Sequence, residues 1–170
     1  LSAAGITYFA VETVRMDLGD TASTVTIDST GLQDSTFVNF NGGADVLDVY
    51  TINGPLTVDM GAGNDAVEIS DQVAGANTVN RILFGLLTVS GGADTDTLYV
   101  NDSGDDVADA NNTLSDTRIT GFGITVGIDY FTFETLTLDT SSGANGIYIS
   151  DTHAGTTLVR TGDENIPSQL

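Results

Sequence analysis

Three short turns carry the residues best placed to do chemistry: Gly43-Ala44-Asp45-Val46-Leu47, Gly63-Asn64-Asp65-Ala66-Val67 and Asp94-Thr95-Asp96-Thr97-Leu98. Each sets an acid two residues before an apolar position, so Asp45, Asp65 and Asp96 fall at one point of a recurring turn, with Asp94 beside Asp96. Stacked in parallel strands, such carboxylates would lie about 4.8 Å apart. Two full charges at that distance repel by roughly 0.9 kcal/mol in water and about 3.5 kcal/mol at an effective dielectric of 20. A divalent cation would reverse that sign, and Ca²⁺ takes carboxylate and carbonyl oxygens. Asp45, Asp65, Asp94 and Asp96 are therefore the candidate metal ligands, and Ca²⁺ the candidate cofactor. The competing reading has each acid bonded within its own turn and solvated. Two departures favour it: Asp94 stands where a glycine is expected, and Ser23 and Asn145 are uncharged at the corresponding points.

Other reactive groups are sparse. His153, the single histidine, follows Asp151 in Ser150-Asp151-Thr152-His153-Ala154-Gly155, with no nucleophile constellation readable around it. Paired carboxylates on a β scaffold can cleave glycosidic bonds. Here the cations that would hold an acidic sugar are four scattered arginines, Arg15, Arg81, Arg118 and Arg160, and no lysine. The expectation is a non-enzyme. Thr24-Val25-Thr26, Thr95-Asp96-Thr97 and Thr135-Leu136-Thr137 suggest a threonine ladder, interrupted at Leu47-Asp48-Val49 and Val67-Glu68-Ile69. Asn101-Asp102-Ser103 and Asn111-Asn112-Thr113 are glycosylation tripeptides, with Asn101 and Asn111 the acceptors.

The elements that must position the acidic turns are strands. Apolar residues alternate with Thr, Asp, Ser or Asn in bursts such as Val25-Thr26-Ile27, Leu56-Thr57-Val58, Leu98-Tyr99-Val100 and Ile147-Tyr148-Ile149. That period of two, punctuated by Gly, Asn and Asp, gives strands with one buried face, and no window carries a helical stripe. Asp71–Asn80 is the nearest to a helix or irregular excursion, and Asp102–Gly123 reads as a surface loop or irregular coil. Core positions fall near 14, 25, 37, 47, 56, 67, 87, 98, 125, 136, 147 and 158. Steps of about ten residues suit either a sandwich, with Asn53-Gly54 as a hairpin turn, or a solenoid with two strands and about twenty residues per coil. The turns before Val25, Leu47, Val67, Leu98 and Ile147 resemble one another; those before Phe37, Leu56 and Leu158 are of another kind. Turn chemistry repeating at every second turn favours an all-β parallel β-solenoid.

A longer repeat overlies the strands. Gly5-Ile6-Thr7-Tyr8-Phe9-Ala10-Val11-Glu12-Thr13-Val14 matches Gly127-Ile128-Asp129-Tyr130-Phe131-Thr132-Phe133-Glu134-Thr135-Leu136, an offset of 128 − 6 = 122 residues. Residues 1–170 read as one continuous segment, about one and a half copies of a unit of about 120 residues with starts near 5 and 127. Tyr8, Phe9, Tyr130 and Phe131 recur at one point of it, as a core or coil-packing plug rather than a ligand platform. Opening on Leu1 without an initiator Met, the chain reads as a processed product or a window from a longer array.

The stretch Gly54-Pro55-Leu56-Thr57-Val58, then Gly91-Gly92-Ala93-Asp94-Thr95-Asp96-Thr97-Leu98-Tyr99-Val100-Asn101-Asp102-Ser103-Gly104-Asp105, resembles giant tandem-repeat surface proteins of bacteria and some algae with haemolysin-type calcium-binding or β-helical repeats. So does Phe133-Glu134-Thr135-Leu136-Thr137-Leu138, with Thr152-His153-Ala154-Gly155-Thr156-Thr157. Gly61-Ala62-Gly63-Asn64-Asp65-Ala66-Val67 matches the second half of the nonapeptide that builds calcium-binding β-rolls. The resemblance implies an extracellular or cell-surface, filamentous, non-catalytic role.

Composition bounds the partners. A formal net charge of −20, from 24 acids and four arginines, repels nucleic acid and anionic membranes. No Cys is present, which removes disulfides and thiolate metal sites. No apolar run approaches a membrane span, so membrane insertion is not expected. The expected partners are neighbouring repeats or copies of the chain stacked end to end. An adhesin-type module that recognises glycan or protein through its loop region is the alternative.

Overall fold

The computed structural model describes residues 10–71, 77–82, 84–109, 111–143 and 146–162. Those residues form fourteen strands and no helix. One sheet contains β1 (Thr13–Asp17), β3 (Ser35–Asn39), β5 (Leu56–Asp59), β7 (Leu87–Ser90), β9 (Asn112–Leu114), β10 (Arg118–Gly121), β11 (Ile124–Phe131) and β13 (Ile147–Ile149). Its order is β1-β3-β5-β7-β11-β10-β9-β13. The other contains β2 (Thr24–Ile27), β4 (Val46–Val49), β6 (Ala66–Ile69), β8 (Thr97–Asn101), β12 (Thr135–Asp139) and β14 (Thr156–Arg160), in the order β14-β12-β8-β6-β4-β2. From β1 to β8 the chain alternates between the sheets. Every described pairing is parallel except β9–β10 and β10–β11.

The parallel register turns the period-two pattern into columns. Leu47, Val67, Leu98 and Leu136 stack in register, as do Val49, Ile69, Val100 and Leu138. From the facing sheet come Leu56, Leu87 and Ile128, then Val58, Val89 and Tyr130. All are buried in one apolar cluster. Short strands of four or five residues suffice because each contributes two side chains to columns that continue above and below.

Turn geometry is repeated as strictly as the strands. Gly43, Gly63 and Asp94 follow the bridged residues Gly42, Ala62 and Ala93, and all three have positive φ, at 114°, 134° and 82°. A Cβ on Gly63 would lie 1.8 Å from the Gly43 carbonyl oxygen, so that position admits only glycine without rearrangement. Asp94 is thus an acid in a glycine's conformation.

Several expectations need correction. Phe37 is 38% exposed and Leu158 47%; the register directs Val38 and Val159 inward instead. Asn53-Gly54 joins β4 to β5, which lie in different sheets, so it is not a hairpin turn. The region Asp102–Gly123 is not an unstructured surface loop: β9 and β10 add to the first sheet, with Leu114, Ile119 and Phe122 buried. The strand at Ile147, grouped by its turn with Val25, Leu47, Val67 and Leu98, lies in the opposite sheet from them, beside β9. Tyr130 is core, whereas Phe131, its neighbour along the strand, faces outward. Outward threonines share a column with Val46 and Ala66, which break any threonine ladder. Within Asp71–Asn80, residues 72–76 lie outside the described residues, as do Tyr8, Phe9 and Asn145; Asp71 bridges to Thr78 in antiparallel fashion.

Candidate functional site

The acidic turns form a ladder along one edge of the two sheets. The Ser23 backbone N–H donates to Asp45 Oδ1 at 2.6 Å, the Asp45 N–H to Asp65 Oδ1 at 2.8 Å, and the Asp65 N–H to Asp96 Oδ1 at 2.9 Å. The Asp96 N–H donates to Glu134 Oε2 at 2.7 Å, closing the series. Each carboxylate therefore caps the turn of the preceding layer rather than its own. Nor are these acids solvated: Asp45, Asp65 and Asp96 are 1%, 2% and 0% exposed. Their second oxygens, Oδ2 in each case, are buried without a hydrogen-bond donor among the described residues.

That environment decides the protonation chemistry. Burial raises the Asp65 carboxyl above its ordinary range, opposed by the N–H of Asp45. Burial likewise pushes Asp96 up to about 6, reinforced by the charges of Asp65, Glu134 and Asp94 and opposed by the N–H of Asp65. Asp94 itself is exposed and takes no rung of the ladder. Glu134 does, and sequence reasoning missed it: the match of Glu134 to Glu12 was legible, its register with Asp96 was not.

The ladder acids do not converge into a ligand set. Among the described residues, the three acids with oxygens within 4.8 Å of one another are Asp102, Asp105 and Asp109. Asp102 is fully buried and its Oδ1 accepts from the Val79 N–H at 3.1 Å, while Oδ2 has no donor among the described residues. Asp105 accepts from the Val107 N–H at 2.8 Å and from Asn80 Nδ2 at 2.7 Å. The amide of Asn80 is oriented by that bond, which leaves its carbonyl Oδ1 buried and without a donor among the described residues. Burial, then the charges of Asp109 and Asp105, push Asp102 up to about 7. Asp109 is raised too, by burial and by Asp105. An all-oxygen set of this kind can hold a hard metal ion. The run Asp102-Ser103-Gly104-Asp105-Asp106-Val107-Ala108-Asp109 did carry a signal, acids three and four residues apart. It passed unnoticed because the segment read as loop.

The remaining candidates are placed as follows. Asn101 is buried at the end of β8 and its Oδ1 accepts from the Ser103 N–H and hydroxyl, whereas Asn111 is exposed. His153 is half-buried, its Nδ1 3.1 Å from Thr157 Oγ1 and its ring edge-on to Tyr130 with centroids 6.0 Å apart. Asp151 accepts from the Thr152 N–H. Each arginine pairs with an aspartate: Arg15 with Asp17, Arg81 with Asp71, Arg118 with Asp129, and Arg160 with Asp139.

No protein family, curated protein or solved structure matches the chain.

Proposed function

We propose that this chain is a structural repeat segment of a long extracellular or cell-surface fibre, built as a parallel β-solenoid with two strands and about twenty residues per coil. The observation that carries the reading is the continuity of parallel columns, apolar inside and carboxylate-to-amide along one edge, from β2 to β12. Columns of that kind gain from each added layer and have no intrinsic length limit. The ladder acids are occupied with backbone N–H groups and the arginines with aspartates, which favours a non-catalytic role. The alternative is a glycan- or protein-binding module acting through its loop region, part of which, β9 and β10, adds to the first sheet.

Calcium belongs to this reading at Asp102, Asp105 and Asp109 rather than at Asp45, Asp65, Asp94 and Asp96. Three acids next to the end of β8 would be drawn together by the ion, and the −20 charge of the chain would be reduced where these acids crowd.

Two measurements test the two halves separately. Chains of one, two and three tandem units, followed by thermal melting and small-angle scattering, are expected to melt progressively higher and to lengthen as rods. Independent beads with a constant melting temperature would end the fibre reading. Titration calorimetry with Ca²⁺ is expected to give binding that Asp105→Asn weakens at least tenfold and Asp94→Asn leaves unchanged. No heat and no melting shift would remove calcium and leave the stacking intact.

A further inference from the structure

The two copies of the repeat do not lie in the same orientation. Under the 122-residue offset β1 corresponds to β12, β2 to β13 and β3 to β14. The local backbone agrees. Ala10 and Thr132, equivalent positions, have φ of 54° and 56°. The Ser35 N–H donates to the Glu12 carbonyl as the Thr156 N–H does to the Glu134 carbonyl, and β1–β3 is parallel as β12–β14 is. Yet β1 and β3 lie in the first sheet and β12 and β14 in the second, while β2 and β13 are exchanged the other way. Outward-facing Phe37 in β3 and its register counterpart Leu158 in β14 consequently sit on opposite sheets.

Counting layers explains the exchange. In the second sheet β12 stands four steps from β2, through β4, β6 and β8, and β1 precedes β2 by half a coil. Along the second sheet one unit therefore spans 4 + 0.5 = 4.5 layers, a half-integral count; the first sheet carries two further strands, β10 and β9, between β11 and β13, which leaves the count half-integral. We propose that successive copies of the unit stack with a half-turn between them, with a second copy of this unit as the partner at each junction. The inference rests on the solenoid reading above and adds the symmetry of the array.

A residue-level consequence follows at the junction. The ladder that begins at Ser23 ends on Glu134, which belongs to the second copy, so the cap of one copy is supplied by the next. Glu12 is the corresponding residue of the first copy; it is exposed, and β1 has no strand on its outer edge among the described residues. Its carboxylate would receive the N–H of the Asp96 counterpart in the preceding copy, on the edge opposite the ladder containing Asp45. Edge ladders would then alternate sides along the fibre.

The test is a tandem chain in which residues 5–126 are repeated seven times ahead of residues 5–170, imaged by cryo-electron microscopy. Phe37→Cys in each unit, the only cysteines present, carries gold labels. A continuous rod with labels alternating between two sides, and returning to the same side at every second unit, is the expected result. A continuous rod with all labels on one side overturns the half-turn while sparing the fibre reading; separate beads overturn both. Glu12→Ala at each junction is expected to lower the melting temperature of the tandem chain, with Glu12→Gln restoring most of it. Equal losses in the single chain, where Glu12 is exposed, would refute its capping role.

Discussion

Asp65 illustrates what a buried carboxylate does here. Its Oδ1 receives the Asp45 N–H and its Oδ2 receives nothing from the described residues, so half the group is used and the whole charge is desolvated. Removing the acceptor with Asp65→Ala strands the Asp45 amide and is expected to cost about 1–3 kcal/mol. Asp65→Asn keeps the acceptor, discards the charge and is expected to be neutral or stabilising at pH 7; chemical denaturation of the two variants checks the contrast. Asp96 gives the pH dependence. Its carboxyl is held at about 6 when folded and lies near 3.8 when free, so the folded state binds its proton more tightly. The associated stability is fully present below about pH 4 and is lost as the pH rises to about 6, on the order of 2–3 kcal/mol at about 1.4 kcal/mol per pH unit. The melting temperature is expected to fall between pH 4 and pH 7, and Asp96→Asn to flatten that fall. At Asp94 the strain is conformational: Asp94→Gly releases a positive φ of 82° and is expected to gain about 1 kcal/mol.

At the scale of elements, the excursion between β8 and β11 is the informative case. Its polar run from Asp102 to Asn112 suggested solvent, yet β9 and β10 continue the first sheet and close over Leu114, Ile119 and Phe122. Phe122→Ala is expected to cost about 3–5 kcal/mol, as for a core aromatic, where a surface loop would register almost nothing; urea unfolding decides it. Outside that excursion, strands of alternating pattern were readable because two faces with different solvents impose a period of two. Which parity faced inward at Phe37 and Leu158 was not readable, since both strands carry apolar residues on both faces. Pairing with β5 and β12 settled that parity.

For the whole molecule, the dominant force outside the core is self-repulsion. Four arginines, all paired, leave the remaining acids uncompensated. Raising sodium chloride from 10 mM to 500 mM shortens the screening length from about 30 Å to a few ångströms and is expected to raise the melting temperature by several degrees, with added Ca²⁺ acting at far lower concentration. A chain stabilised mainly by surface ion pairs would move the other way. In the proposed fibre, stacked units would compound the same repulsion and give cations a structural task.

The all-β class, the strand positions outside Asp102–Gly123, the recurring acidic turn and the 122-residue offset were determined by the sequence itself, because each is a local or periodic property of residue types. Tertiary structure alone decided that the turn acids are buried and cap the layer before them, that Glu134 completes their ladder, and that Asp102, Asp105 and Asp109 converge. The ladder depends on register between segments 20 to 38 residues apart, which is set by the apolar columns that align, and the Asp102 cluster on how its own short segment folds back. Whether two equivalent segments share a sheet is likewise a count of intervening layers, not a property of either segment.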